Sequence, residues 1–380
     1  MSRTRERLLA LATVALSVLI TLGALELVLR FLPVGSGLRS MPVTAAAPVF
    51  HYEPNADYVY SIGWNFEFVN RGHVNNAGFV NDRDYHADDP SPLIVVVGDS
   101  YIEALQVPFP QTLEARLAST LSPRARVYSF AASGSPLSQY LVWAQHAVQQ
   151  YGARAVIINV VWNDFDESYE SYRRAPHFWF YVRANDGSLK LKLFEHRRSL
   201  LRSLALESAL ARYLLLNLRL EHFIAEAPFL HGLLADGAPA QPAAPADLLL
   251  DADADAERSR ISYDVIDAVF RDVPRMIALP PERILFVVDG YHYPDIAAAS
   301  AEHYYDRMRK IFLARAKAEG YGAIDLQPFF FAHFSAHHQP FEVPHDGHWN
   351  GIAHELVAEA VQQSGFLERS LNGRAPVTSR

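Results

Sequence analysis

The stretch "IVVVGDSYIEA", residues 94–104, decides how the rest of the chain is read. Ile94 to Val97 form an unbroken apolar run closed by Gly98. Such a run reads as a strand buried on both faces, and such strands belong to parallel sheets covered by helices. Asp99 and Ser100 follow at once. In an open α/β sheet, ligands bind beyond the carboxyl ends of the strands. Ser100 is therefore either a solvated turn residue or a nucleophile held at the sheet edge.

The neighbouring sequence repeats the pattern. "PLIVVVGDS" leads to a helix near 110–121, and "ARVYSFAAS" to a helix near 136–150. "AVIINVVWND" covers 155–164. "RILFVVDG", 283–290, lies between helices near 262–278 and 298–319. "YGAIDLQP", 321–328, is the last predicted strand, and a helix near 350–364 closes the set. This alternation predicts an α/β domain. Before it, residues 34–91 hold a Gly/Pro/Ala tether and short alternating runs such as "YVYSIGWNFEFV", a small β-rich approach segment. Between 165 and 260 the rhythm breaks. Residues 196–224 read as a helix with Leu200, Leu204, Ala211, Leu215 and Leu218 on one face. It is expected as a helical cap over the sheet, although Arg198, Arg202, Arg212 and Arg219 also suit a membrane surface. The Ala/Pro/Asp-biased stretch 235–259 is expected as a mobile loop.

Composition narrows the function classes. The 380 residues are 50% hydrophobic, enough for a sizeable core. A net charge of −8 with no long basic run argues against a nucleic-acid partner. With no cysteine, disulfides, thiolate catalysis and cysteine-ligated zinc are excluded. From Leu8 to Leu29 the chain is apolar apart from Thr13, Ser17, Thr21 and Glu26. As a helix this run spans roughly 33 Å, enough for a bilayer core of about 30 Å. Arg3, Arg5 and Arg7 predict a cytoplasmic amino terminus and an exported domain. Glu26 and Arg30, four apart, are placed to pair at the outer interface. A cleaved signal peptide is the rival reading, and it exports the domain equally. The expected division is residues 1–33 as cytoplasmic tip and anchor, 34–91 as tether and approach segment, 92–365 as the α/β domain, and 366–380 as a tail.

Four strand ends carry groups of the kind acyl transfer needs. Ser100 ends the first, Gly134 in "SFAASGSPLSQY" follows the second, and Asn163 and Asp164 end the third. "PHDGHWN", 344–350, follows the last and supplies Asp346 and His348. In this order the set resembles the SGNH (GDSL-like) hydrolase superfamily, over about 92–365 with the 165–260 insertion. "GDSY" matches its first block, Gly134 its second, "WND" its third, and "DGHWN" its last. The amino-terminal anchor also looks like the membrane-tethered bacterial members. The resemblance implies a flavodoxin-like, three-layer α/β fold with helices on both faces of a parallel sheet. It implies Ser100 as nucleophile and His348 as base. The amides of Ser100 and Gly134 and the side-chain amide of Asn163 would form the oxyanion hole. Many members place the acid three residues before the histidine, a position held here by His345. Asp346, two before, is the candidate acid, in an Asp-x-His-Trp element similar to that of polysaccharide O-acetylation proteins. The expected bend between Asp346 and His348 relies on Gly347. Asp99 and Asp164 are expected to fix turns.

No cofactor is implied, and no metal: His333 and His337 lack converging acid partners. Asp289 and His292 in "VVDGYHYPD" are weaker candidates for lining the substrate site. Three functions stay open: an exported serine esterase or deacetylase acting on acylated carbohydrate or lipid, an O-acyltransferase modifying an envelope polysaccharide, and a non-catalytic envelope-assembly protein. Substrate identity and oligomeric state are not legible in the chain.

Overall fold

The structure, a computed structural model, describes residues 3–197, 200–220, 252–300, 303–344 and 346–372. The described residues fall into two compact units. One draws on Met1–Arg39, Asp57–Arg71 and Arg198–Ala238; the other draws on Ser40–Ala56, Gly72–Arg197 and Pro239–Arg380.

In the first unit, helix α1 (Arg3–Leu29) exposes its apolar side chains as far as Val28 and buries Leu29. Strands β1 (Ala56–Ile62) and β2 (Phe68–Val74) pair as a two-stranded sheet.

The second unit is built around a parallel sheet. Strand β3 (Leu93–Gly98) is buried at all six positions and runs into the short helix α2 (Ser100–Glu103). Helix α3 (Leu113–Leu121) starts at Thr112, whose side chain accepts from the Ala115 amide. Then come β4 (Arg126–Ala131), α4 (Leu137–Tyr151), β5 (Ala155–Val160) and the short α5 (Asp164–Glu167). An antiparallel hairpin comes next, β6 (Trp179–Arg183) with β7 (Leu189–Leu193).

The stretch expected as one helix over 196–224 is instead broken. It forms α6 (Leu200–Glu207) and α7 (Ala209–Arg212), interrupted at Ser208, and a wider turn over Tyr213–Asn217. Residues 198–199 and 221–224 of that expectation lie outside the described residues. Within the first unit, Leu29, Val34 and Ala209 form a buried cluster with Phe66, Leu210 and Tyr213 against it. The Glu26 carboxylate accepts from the Ser208 hydroxyl and the Ala209 and Leu210 amides at 2.8–3.0 Å. These amides open α7 and have no partner within it, so a residue of α1 completes the start of α7. Arg30 donates to the same carboxylate at 2.8 Å, as the four-residue spacing predicts.

Helix α8 (Ala252–Met276) begins well before the expected 262. Residues 252–259, expected as loop, are therefore helical, and 235–251 lie outside the described residues. The chain continues through β8 (Ile284–Val288), α9 (Pro294–Ala299), α10 (Tyr304–Ala318), β9 (Gly322–Asp325) and α11 (Gln327–His337). It ends in a small antiparallel hairpin, β10 (Glu342–Val343) with β11 (Asp346–Trp349), then α12 (Gly351–Gln363) and α13 (Phe366–Asn372). Residues 366–372 of the expected tail are thus a helix, and 373–380 lie outside the described residues.

The main sheet has the order β4-β3-β5-β8-β9, and every pair is parallel. Counted within the sheet this is 2-1-3-4-5, the flavodoxin-like order, with the switch point between β3 and β5. Side chains alternate between its faces. Ile94, Val96, Ile157, Leu285 and Val287 join a core with Leu113, Leu117, Val357 and Val361 of α3 and α12. Phe286 points the other way, with ring centroids 5.5 Å from Phe270 of α8 and 5.2 Å from Phe312 of α10. Helices therefore cover both faces, the three-layer α/β architecture that the sequence predicts.

Candidate active site

The Ser100 turn is sterically tight. A Cβ on Gly98 would sit 2.4 Å from Ile102 Cγ1, so only glycine lets β3 pass so closely under α2. The Asp99 carboxylate accepts from the Tyr101 amide at 3.0 Å and caps α2. Burial pushes its carboxyl up to about 6, against the opposing pull of that amide. Asp164 acts alike after β5: it accepts from the Val161 amide and the Tyr140 hydroxyl, both at 2.8 Å. Burial holds its carboxyl well above the usual range. Both acids thus fix turns, and neither bonds to Ser100 or His348.

Hairpin β10–β11 carries the histidine. Along β11 the exposure alternates, with Asp346 and His348 buried and Gly347 exposed. Residues two apart on a strand share a face, so this spacing brings the carboxylate alongside the ring. Asp346 Oδ1 meets His348 Nδ1, and the same oxygen accepts from the His348 amide at 3.2 Å. On the other side His348 Nε2 lies 2.7 Å from Ser100 Oγ. All three residues are 7% exposed, low enough that water does not level the interaction between carboxylate and ring. The expected role of Gly347 needs correction. It has no left-handed φ, and a Cβ there would meet nothing within 4 Å among the described residues. The strand geometry, not a glycine bend, makes the two-residue spacing work.

Tyr101, next to the serine, steadies this arrangement. Its hydroxyl donates to the Gly347 carbonyl at 3.2 Å, and its ring lies 5.0 Å from His348 and 5.2 Å, edge-on, from Trp349.

Gly134 adopts φ +76°, a left-handed turn that favours glycine. The preceding residue is gripped by Glu103, the last residue of α2. The Glu103 carboxylate accepts from the Ser133 amide at 2.9 Å, from the Ser133 hydroxyl, and from the Tyr52 hydroxyl at 2.5 Å. Burial pushes this carboxyl up to about 6, partly offset by those bonds. Asn163 is 5% exposed; its Nδ2 donates to Glu167 at 3.0 Å, leaving its second amide proton available. Its buried Oδ1 has no partner among the described residues.

Asp289 and His292 are not joined to this cluster. Their side-chain hydrogen bonds run between one another, at 3.2 Å, and from His292 to Glu342 on β10, at 2.5 Å. The rings of His333 and His337 lie 4.5 Å apart, tilted by 44°, and His333 bonds Gln339; His345 lies outside the described residues. Sequence reasoning missed Glu103, Tyr101 and Glu342. For Glu103 the available signal was one acid within the otherwise apolar "YIEA".

No family model matches the chain, and no curated protein matches it. Among solved structures it is similar to TesA, at 12% identity over 72% of this chain and 97% of that one, TM-score 0.34. It is similar to the acetyl xylan esterase AlAXEase, at 10% identity over 72% and 98%, TM-score 0.37. It is also similar to a carbohydrate acetylesterase family member from Sinorhizobium meliloti, at 10% identity over 74% and 100%, TM-score 0.35.

Proposed function

We propose that this chain is a serine esterase of the SGNH type that removes ester-linked acyl groups from a carbohydrate or lipid. The observation that carries the reading is the unbroken line from the Asp346 carboxylate through His348 to Ser100 Oγ, at 2.7 Å from Nε2. A hydroxyl is a weak nucleophile until an adjacent base takes its proton, and a base works best when a third group orients it. In the proposed reaction Ser100 Oγ attacks the ester carbonyl as His348 Nε2 removes its proton. The resulting imidazolium is stabilised by Asp346. The tetrahedral oxyanion accepts hydrogen bonds from the Ser100 and Gly134 amides and from Asn163 Nδ2, each such donor typically contributing about 3 kcal/mol. Collapse expels the alcohol, which receives the proton from His348. Water then attacks the acyl-serine by the same route in reverse roles, releasing the acid and restoring Ser100.

A length of apolar surface on α1 sufficient to cross a bilayer, unburied in the structure, supports a tethered enzyme. Arg3, Arg5 and Arg7 support an amino terminus on the cytoplasmic side, with the sheet unit exported.

Ser100→Ala should abolish turnover of a small aryl acetate while circular dichroism stays unchanged. Wild-type-like turnover in that variant would remove Ser100 from the mechanism. A second reading, transfer of the acyl group to a sugar, follows from the resemblance of the Asp-x-His-Trp element to that of polysaccharide O-acetylation proteins. Incubation with an acetylated oligosaccharide and a free one separates the two: free acetate alone means hydrolysis, and an acetylated acceptor means transfer.

A further inference from the structure

Among the described residues, strand β10 contains two residues, pairs with β11 through Glu342↔Trp349 and Val343↔Asp346, and is flanked by one bond from the Asn350 amide to the Phe341 carbonyl at 2.7 Å. So short a ladder is marginal by itself. Yet it has to hold His348 within hydrogen-bonding distance of Ser100. The question is what fixes it to the sheet.

We propose that His292 is a positioning residue, clamped between Asp289 at the end of β8 and Glu342 on β10, and that this clamp sets the hairpin which presents Asp346 and His348 to Ser100. The proposal rests on the esterase reading. His292 Nε2 faces Asp289 Oδ1 at 3.2 Å and Nδ1 faces Glu342 Oε1 at 2.5 Å. Carboxylates only accept, so a ring bonded to both donates from both nitrogens and is an imidazolium. Burial alone would lower the affinity of the ring for its second proton. The Asp289 and Glu342 charges outweigh burial and raise the ring to about 9. Tyr293 donates its hydroxyl to the second oxygen of Glu342 and accepts from the Phe341 amide at 3.3 Å. The ring itself lies 4.4 Å from Phe330 of α11 and 5.9 Å from Phe341. On the far side Asn350 Nδ2 donates to the carbonyls of Pro340 at 2.8 Å and Glu342 at 3.3 Å.

A buried ion cluster is an expensive way to fill space, since apolar residues of similar volume stabilise a fold as well or better. What it provides is direction: two charge-assisted bonds on opposite edges of one rigid ring fix a strand end to a loop. Asp289 receives its place from the sheet, because its own amide donates to the Val160 carbonyl at 2.8 Å. The clamp therefore runs from the carboxyl end of β8, beside the end of β5, to the strand next to β11.

The test uses the full chain in detergent, with His292→Ala, Glu342→Ala and the double variant. Three quantities are read: kcat and KM on an aryl acetate, and the rate at which a fluorophosphonate labels Ser100. Displacing a catalytic group by about 1 Å costs on the order of 100-fold, so kcat should fall roughly 10- to 100-fold. KM should stay within about threefold, since no substrate contact is removed. Labelling should slow by the same factor as kcat. The double variant should match the worse single one, because both remove one clamp. A role confined to stability would lower the melting temperature but leave kcat per labelled site unchanged. Values within threefold of wild type in the folded variants, or fully additive losses, overturn the proposal. Should the alanine variants not fold, Tyr293→Phe removes only the hydroxyl that donates to Glu342 and accepts from the Phe341 amide. A drop of threefold or more in kcat and labelling supports the clamp, and unchanged values overturn it. Ser100→Ala in parallel separates the cases: if it too retains activity, the esterase reading fails; if it is inactive, only the clamp fails.

Discussion

Asp346→Asn is the substitution whose outcome is most directly set by the geometry. One oxygen, Oδ1, serves both the His348 amide at 3.2 Å and the ring Nδ1. An asparagine in the same rotamer has to place either its oxygen or its nitrogen there. Nitrogen would set N–H against the backbone N–H and leave a buried donor unpaired, at a cost of roughly 1–3 kcal/mol. Oxygen keeps both bonds. The variant should therefore hold His348 with its proton on Nδ1 and Nε2 open toward Ser100. In the best-studied serine triad the same exchange costs about 10⁴ in kcat because the ring takes the wrong tautomer. Here the two Oδ1 bonds stay and the charge is lost. At an effective dielectric of about 20 and about 4 Å between charge centres, that charge stabilises an imidazolium by about 4 kcal/mol. The imidazolium forms on the way to the transition state, so the loss falls on kcat, about 10³-fold at 1.36 kcal/mol per decade. The retained hydrogen bond returns about 1 kcal/mol. The expected loss is then roughly 10²- to 10³-fold, with KM unchanged. Asp346→Ala forfeits both bonds and should approach the full loss of about 10⁴.

Steady-state kinetics on an aryl acetate measures both variants, and nitrogen-15 chemical shifts of the ring report the tautomer of His348. An asparagine variant as impaired as alanine, or one with its proton on Nε2, refutes the argument from the shared oxygen. A loss under tenfold in both would remove Asp346 from the role of acid while leaving Ser100 and His348 in theirs.

Gly347→Ala should leave kcat within about twofold of wild type, since the added Cβ meets nothing within 4 Å among the described residues. Glu103→Gln loses one of the acceptors that hold Ser133, so kcat should fall about tenfold through a displaced Gly134 amide. The carboxyl of Glu103 is raised from 4.5 to about 6 on folding, so its contribution to stability is complete below about 4.5 and lost as pH rises through about 6. Melting curves of Glu103→Gln should therefore lack the slope that wild type shows between those values. His292 is raised from 6.5 to about 9, so its contribution is complete below about 6.5 and is lost as pH rises through about 9. In His292→Gln the fall in melting temperature across that window should disappear. Full-length protein should sediment with membranes, whereas a chain beginning near residue 40 should be soluble and, without Glu26 to receive the Ala209 and Leu210 amides, should be cut first by protease within 200–217.

How much the sequence disclosed depended on how local each signal was. Three of the five sheet strands, Leu93–Gly98, Ala155–Val160 and Ile284–Val288, were legible because each is a mainly apolar run buried at every position. Arg126–Ala131 and Gly322–Asp325 were legible through the alternation with helices. Residues 252–259 misled because aspartates alternate with alanines there, a composition that by itself favours loop. The helix is carried by its later turns, where Ile261, Val265, Ile266 and Val269 are buried. Helix α11 was missed for the opposite reason: "QPFFFAHFSAH" has apolar residues on every side and no amphipathic period to detect. Glu103 was invisible as a functional group because its partners Tyr52 and Ser133 lie 51 and 30 residues away. Only the fold brings a tyrosine of the approach segment and the turn before Gly134 to one carboxylate.

The two-residue spacing of Asp346 and His348 has a physical explanation in the same terms. A three-residue spacing suits a helix or turn, where residues three apart share a side. On a strand it would put the acid and the histidine on opposite faces. Here the chain runs extended through Asp346–Trp349, so a partner on the same face has to stand two residues away. Position 346 is thereby tied to the existence of β11, and β11 in turn depends on a two-residue partner strand. Whatever fixes that strand therefore also fixes the acid. Tyr101 reaches the Gly347 carbonyl from the nucleophile side, and the Glu342 carboxylate receives His292 from the sheet side. If the proposed clamp holds β10, the orientation of Asp346 rests on side chains remote in sequence, and substitutions at 292 and 342 should be felt at Ser100.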